Sequence, residues 1–154
     1  MEISNQKDIN KARREIEVFK KTNPSSKIAI LSQDDEFNRK ALEIKGLNTL
    51  ILNEDLEIKD YSKQRNSGLN EVLVKIASKK NISIGIDLGR IQKKSDKEMA
   101  RALARLKQNI MLCKKAKCKI IFLDNLQEKN FKSSIKSLMI ILGSSTSQAE
   151  EAFK

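Results

Sequence analysis

The 154-residue chain predicts an α/β fold: a parallel sheet of alternating βα units that makes a partial or truncated TIM-barrel-like structure. Three observations carry this. Four short runs read as strands: Ile28 to Leu31 is apolar at every position, Leu50 to Leu52 and Ile120 to Leu123 are similar runs, as strands covered on both faces must be, and Ile82 to Leu88 has Ile or Leu at every second position. Between them lie segments whose apolar residues recur at helical spacing, so the strands are joined by crossovers. Eight such units in this length would leave about 19 residues each, too few for a complete eight-stranded barrel. The chain is read as one domain over residues 1–154.

The elements follow in order. Residues 7–21 read as a helix with Ile9, Ala12, Ile16 and Phe19 as its apolar stripe, and Asn23-Pro24-Ser25-Ser26 breaks it. Ile28-Ala29-Ile30-Leu31 is the first buried strand. Ser32 or Asp34 can cap a helix over 34–45, and Gly46 ends it. Thr49-Leu50-Ile51-Leu52 is the second strand. Asn53 to Gln64 is a polar connector with a short strand expected at Leu56-Glu57-Ile58. A helix at 68–80 and a third strand at 82–88 come next. Gly89 to Ser95 reads as a basic loop, and a long helix spans 96–116. Lys119 to Asp124 is the fourth strand. The helix from Phe131 to Leu142 is more apolar than one buried face needs. It is either packed between the sheet and the last helix or offers a protein interface. Gly143 stops it, and Ser145 or Thr146 caps the final helix.

Charge is segregated. The chain carries 31 basic and 20 acidic residues, a net charge of +11, and residues 61–120 alone hold 16 basic against 4 acidic side chains. Such a segment faces a polyanion. A membrane-binding face would bring Trp or Phe on an amphipathic helix, and this segment has Tyr61 as its one aromatic residue. No apolar run approaches the roughly 20 residues that cross a bilayer, and Met1 to Gln6 lacks the apolar core of a secretory signal. A soluble, cytoplasmic protein with no membrane partner is expected.

Two absences prune the chemistry. There is no histidine, which excludes Ser-His-Asp triads, Cys-His pairs and His-ligated metals. Two cysteines, Cys113 and Cys118, cannot complete a zinc site without carboxylates, and they read as reduced, buried thiols. Neither a catalytic residue nor a metal ligand is assigned, and no cofactor is expected for the protein. Asp87 and Asp124 end the third and fourth strands on the rim where parallel sheets bind ligands, and hydrogen-bonding roles are expected of them rather than a shared ion.

The basic residues have an order. Lys97, Arg101 and Arg105 are four apart on the long helix. With Lys97 at zero, Arg101 falls at about 40° and Arg105 at about 80°, while Met99, Leu103, Leu106 and Ile110 centre near 210°, roughly opposite. Between Lys97 and Lys119 the single acid is Glu98. With Arg90, Lys93 and Lys94 of the preceding loop, the stripe is a candidate for tracking backbone phosphates. Aromatic platforms for stacking bases are missing, so recognition of RNA shape and backbone is expected. Arg65 and Asn66, just ahead of the third helix, complete the candidate RNA-binding set.

The stretch Arg65-x-x-Gly68-Leu69-Asn70-x-Val72-Leu73-x-Lys75-Ile76-Ala77 resembles the central motif of ribonuclease P protein component 3, the thirty-kilodalton ribonuclease P protein family of archaea and eukaryotes. The likeness continues through Asn81 to Leu88, Arg101-Ala102-Leu103, the strand at 119–123, and the helices at 134–143 and 148–152. It covers 65–154 well and 27–53 loosely. The resemblance implies a barrel-like fold related to the PHP-type metal-dependent phosphoesterases, with the metal ligands absent. It implies a subunit that binds ribonuclease P RNA and precursor tRNA beside a Pop-five-type partner. In such a complex the RNA removes the 5′ leader with Mg²⁺, and the protein has no active site of its own. The chain departs from the family pattern in four places. It runs from Met1 almost straight into a helix where the family opens with a strand, one βα unit between Leu52 and Arg65 is missing, and Gly89-Arg90 and Asp124-Asn125 stand where other residues are usual. Two other classes fit the residues. One is a general α/β RNA-binding module of ribosomal or guide-RNA type. The other is a self-sufficient phosphoesterase, which would need Asp34, Asp87 and Asp124 to converge on a metal.

Overall fold

The computed structural model describes residues 1–53, 59, 60, 65–123 and 129–153, with side chains of 129 and 130 excepted. The strand expected at Leu56-Glu57-Ile58 and the carboxylate of Asp124 lie outside these residues. Five strands form one fully parallel sheet in the order β1 (Glu2–Ser4), β2 (Ile28–Leu31), β3 (Thr49–Ile51), β4 (Ser83–Ile86) and β5 (Ile120–Phe122). The helices are α1 (Ile9–Thr22), α2 (Asp35–Leu42), α3 (Glu71–Lys79), α4 (Leu88–Gln92), α5 (Asp96–Ala116), α6 (Lys129–Ile141) and α7 (Thr146–Glu151). This is the expected α/β class.

Strand order equal to chain order distinguishes this sheet from a doubly wound one. Right-handed crossovers that always step the same way put every helix on the same face. The packing agrees, since α1 lies on α2, α2 on α3, and α3 on α5. Register aligns Ser4, Ile30, Leu50, Ile84 and Ile120 in one row across the sheet. The four apolar members of that row are fully buried and join Ala12, Ile16, Leu42, Leu73, Leu106 and Ile110 in the main core. The opposite face carries the rows Ile3, Ala29, Thr49, Ser83 and Leu31, Ile51, Gly85, Ile121. A Cβ on Gly85 would stand 2.9 Å from Thr49 Cγ2 and 3.1 Å from Ile51 Cγ1. Glycine therefore lets β3 and β4 crowd together on that face, as the inside of a barrel wall requires.

Three expectations need correction. The chain does open with a strand: Glu2-Ile3-Ser4 pairs in parallel with Ile28–Ile30, and three residues are too few for a periodic signal. The basic segment after β4 is a helix, α4, because Asp87 caps it and Leu88 and Ile91 bury beneath it. Finally, α3 begins at Glu71 rather than Gly68. The Asn70 side chain accepts from the Val72 and Leu73 N–H groups, and Gly68 sits ahead of it at φ +74°, where only glycine is unstrained. The short span between Leu52 and Arg65 leaves no gap in the sheet, since β3 and β4 pair directly from Thr49↔Ser83 to Ile51↔Gly85.

Candidate nucleic-acid interface

All five strands point the same way, so the segments that follow β2, β3, β4 and β5 leave from one rim of the sheet. Two of them contribute here, together with the helix that the second leads into. The β3–α3 connector carries Arg65 and Asn66, the β4–α5 connector carries Arg90, Lys93 and Lys94, and the first half of α5 carries Lys97 and Arg101.

The β3–α3 connector is held by side chains on both sides. Gln108 accepts from the Arg65 N–H at 3.1 Å and donates to the Arg65 carbonyl at 2.9 Å and to Ser67 Oγ at 2.9 Å. Ser67 Oγ donates to Asn109 Oδ1 at 2.6 Å, and Asn109 Nδ2 returns a bond to the Ser67 carbonyl at 3.2 Å. From α2, Asn38 donates to the Gly68 carbonyl at 3.2 Å. Asn38 and Asn109 are fully buried, and each such amide is tolerated only because its polar atoms find partners.

Asp60 is the hub of the basic side of this connector. Its Oδ1 accepts from Arg105 Nε at 3.1 Å, from Arg105 Nη2 at 3.0 Å and from the Asn66 N–H at 3.0 Å, and its Oδ2 accepts from Arg65 Nη1 at 3.0 Å. Burial pushes the carboxyl up, but the bonds from Arg105, the Asn66 N–H and Arg65 outweigh it and hold Asp60 below the usual carboxylate range.

The sequence-predicted residues therefore divide. Lys97 and Arg101 are exposed on the outward face of α5, as the helical angles required. Lys93 is exposed at the C-cap of α4. Arg90 is also exposed, with Nε donating to Asp87 Oδ2 at 3.0 Å. Lys94 is half-buried. Arg65 and Asn66 stand with Asp60 at the side of α5. Arg105 is the correction: its side chain is 11% exposed and turned onto Asp60, so it braces the connector instead of extending the outward stripe. Its angle, at the edge of the stripe nearest the core, is the reason. Glu98 spends its carboxylate on the Ser95 N–H and Oγ at the start of α5, with Lys94 and Arg101 near enough to lower it further.

Asp34 and Asp87 use their carboxylates on helix ends. Asp34 accepts from the Phe37 N–H at 2.8 Å, and Asp87 accepts from the Arg90 N–H at 3.2 Å. Among the described residues, no three His, Cys, Asp or Glu side chains gather as a metal site. Cys113 and Cys118 are buried free thiols. The hydrogen bond between them, and then burial, pushes Cys113 well up; the same bond draws Cys118 down against the opposing effect of burial.

Sequence reasoning missed Asp60, Asn38, Gln108 and Asn109. The last two left a trace: adjacent amides inside a helix, with Asn109 beside the apolar Ile110, are costly unless something bonds them. Asp60 left none, since it lies 45 positions from Arg105 in an acidic stretch.

No protein-family model matches the chain, and none of the curated proteins does. Among solved structures, a chain of the cryo-EM structure of archaeal ribonuclease P with mature tRNA superposes with a TM-score of 0.75 and 20% identity, over 97% of this chain and 62% of that one. A crystal structure of an uncharacterized protein superposes with a TM-score of 0.63 and 10% identity, over 97% of this chain and 36% of that one. The chain thus spans less than two thirds of the length of either. At these identities the likeness establishes a shared fold: the five-stranded parallel α/β sheet recurs within both longer chains.

Proposed function

We propose that this chain is an RNA-binding protein subunit of a ribonuclease P, the RNA-based endonuclease that removes 5′ leaders from precursor tRNA. The observation that carries the proposal is the superposition of nearly the whole chain on a chain of archaeal ribonuclease P. The motif at Arg65 to Ala77 supports it independently, as does the cationic segment at 61–120. In this reading Arg65, Asn66, Arg90, Lys93, Lys94, Lys97 and Arg101 face RNA, and Arg105 positions Arg65 and Asn66 through Asp60. The cations neutralise backbone phosphates of the ribonuclease P RNA or the precursor tRNA and release their counterions. Chemistry belongs to the RNA with its Mg²⁺. A Pop-five-type subunit is the expected protein partner, and the cytoplasm the expected compartment.

Reconstitution tests this. Ribonuclease P RNA and the other protein subunits are assembled with and without the chain, and precursor tRNA cleavage is timed. Faster cleavage at limiting Mg²⁺ in its presence is expected; an unchanged rate overturns the proposal. Recovery of ribosomal or guide RNA in place of ribonuclease P RNA on the purified protein would favour the general RNA-binding module.

A further inference from the structure

The outward face of α5 changes character along its length. Its first half presents Lys97 and Arg101. Some four turns on, roughly 20 Å along the axis, the same face presents Met111, with Ala104 and Leu112 flanking it. There an open groove of about 540 Å³ runs between α5 and Arg65, floored by Ala104, Met111 and Leu112 and rimmed by Arg65, Lys107 and Lys115. Met111 is 54% exposed, and its Cγ lies 3.7 Å from the Cβ position of Gly143, the glycine that ends α6. Just before that glycine, Ile140 and Ile141 are 48% and 79% exposed. Large apolar side chains of two helices thus stand in water at one end of the molecule, bordered by cations.

We propose that this groove docks a protein segment with an apolar anchor flanked by carboxylates, and that α5 divides its outward face between nucleic acid at its N-terminal half and protein at its C-terminal half. Charge complementarity selects the occupant. From Ala104 to Lys119 the chain carries no acid, only Arg105, Lys107, Lys114, Lys115, Lys117 and Lys119 as charged groups. Asp60 engages Arg65 and Glu71 engages Lys115, at 3.0 and 2.7 Å, which leaves the rim cationic on balance. A phosphate backbone would gain from that rim but nothing from a floor of thioether and methyl groups. An amphipathic acidic helix gains from both, because an apolar anchor fills the floor while its neighbours at three- and four-residue spacing meet the lysines. A thioether in the floor suits this, since Met adapts to the shape of what it meets. The proposal stands whether or not the chain serves ribonuclease P.

The test uses the full chain with its methionine methyl groups labelled with ¹³C and observed by NMR. Three probes are titrated: a peptide with Leu at every third or fourth position and Glu elsewhere, the same peptide with Lys replacing Glu, and an RNA hairpin. The expected result is a saturable shift of the Met111 methyl with the acidic peptide, binding at least about tenfold tighter than the basic one and losing that affinity in K107E, read at the same methyl, and in M111E, read by fluorescence anisotropy of the dye-labelled peptide. Both positions are exposed, so neither change disturbs the core. Four results overturn the proposal: no shift with the acidic peptide, equal response to both peptides, a Met111 shift driven by the RNA, or one driven by protein concentration alone, which would assign the groove to a second copy of the chain.

Discussion

Arg105 and Asp60 form a two-nitrogen contact across 45 positions of sequence, with Nε and Nη2 at 3.1 and 3.0 Å from one carboxylate oxygen. Through the same carboxylate Asp60 holds Arg65 and the Asn66 backbone. A residue that looks like part of an RNA-facing stripe is thereby a brace for two others.

Removing the brace should cost stability. D60N keeps the size of the side chain but strips the charge that Arg105, Arg65 and the Asn66 N–H share. A loss of about 1–3 kcal/mol is expected. Urea denaturation should show a lower midpoint with an unchanged slope; an unchanged midpoint would show that the ion pair contributes nothing.

Acid should loosen the same place. The Asp60 carboxyl titrates below its usual value in the folded chain, so its contribution is present above the unfolded value, near 3.8, and fades as pH falls from there through the lower folded value. Glu98 is lowered in the same sense by the Ser95 side chain and backbone. Thermal melts of the wild type between pH 5 and 2.5 should fall more steeply than those of D60N, the difference between the two curves closing toward the acid end.

Charge reversal should separate RNA binding from support. K97E and R101E should leave the melting temperature nearly untouched, weaken RNA binding and flatten the dependence of log K on log salt by roughly one unit for each phosphate that is no longer neutralised. R105E should lower the melting temperature first. Equal salt slopes for wild type and K97E/R101E in filter-binding assays would remove these residues from the RNA surface.

G85A should be poorly tolerated. Its methyl would meet Thr49 and Ile51 at 2.9 and 3.1 Å, and overpacking of this kind costs about 1–3 kcal/mol. T49S in the same chain should return part of the stability; a G85A protein as stable as wild type would mean that the strands part easily there.

Much of the fold was legible. The runs Ile28–Leu31, Thr49–Leu52, Ile82–Leu88 and Lys119–Asp124 contain β2 to β5, and α5 has the expected bounds of 96 and 116 because a capping residue and a left-handed Lys117 punctuate a long periodic pattern. β1 was hidden since Glu2–Ser4 has no pattern of its own and owes its form to β2. α4 was hidden because five residues, three of them Gly, Arg and Gln, read as a loop until Leu88 and Ile91 find the core. The site was half legible. Helical angles placed Lys97 and Arg101 correctly, but local spacing cannot see a partner that tertiary folding supplies, and that partner is what drew Arg105 out of the stripe.

The bonds from Gln108 and Asn109 to Arg65 and Ser67 have a mechanical consequence. A rigid rod and the strap lashed to its flank tilt together, so the interval between the cations of the one and those of the other is preset before any ligand arrives. Whatever lies across both must already match that interval, which favours a stiff, prefolded surface over a limp strand.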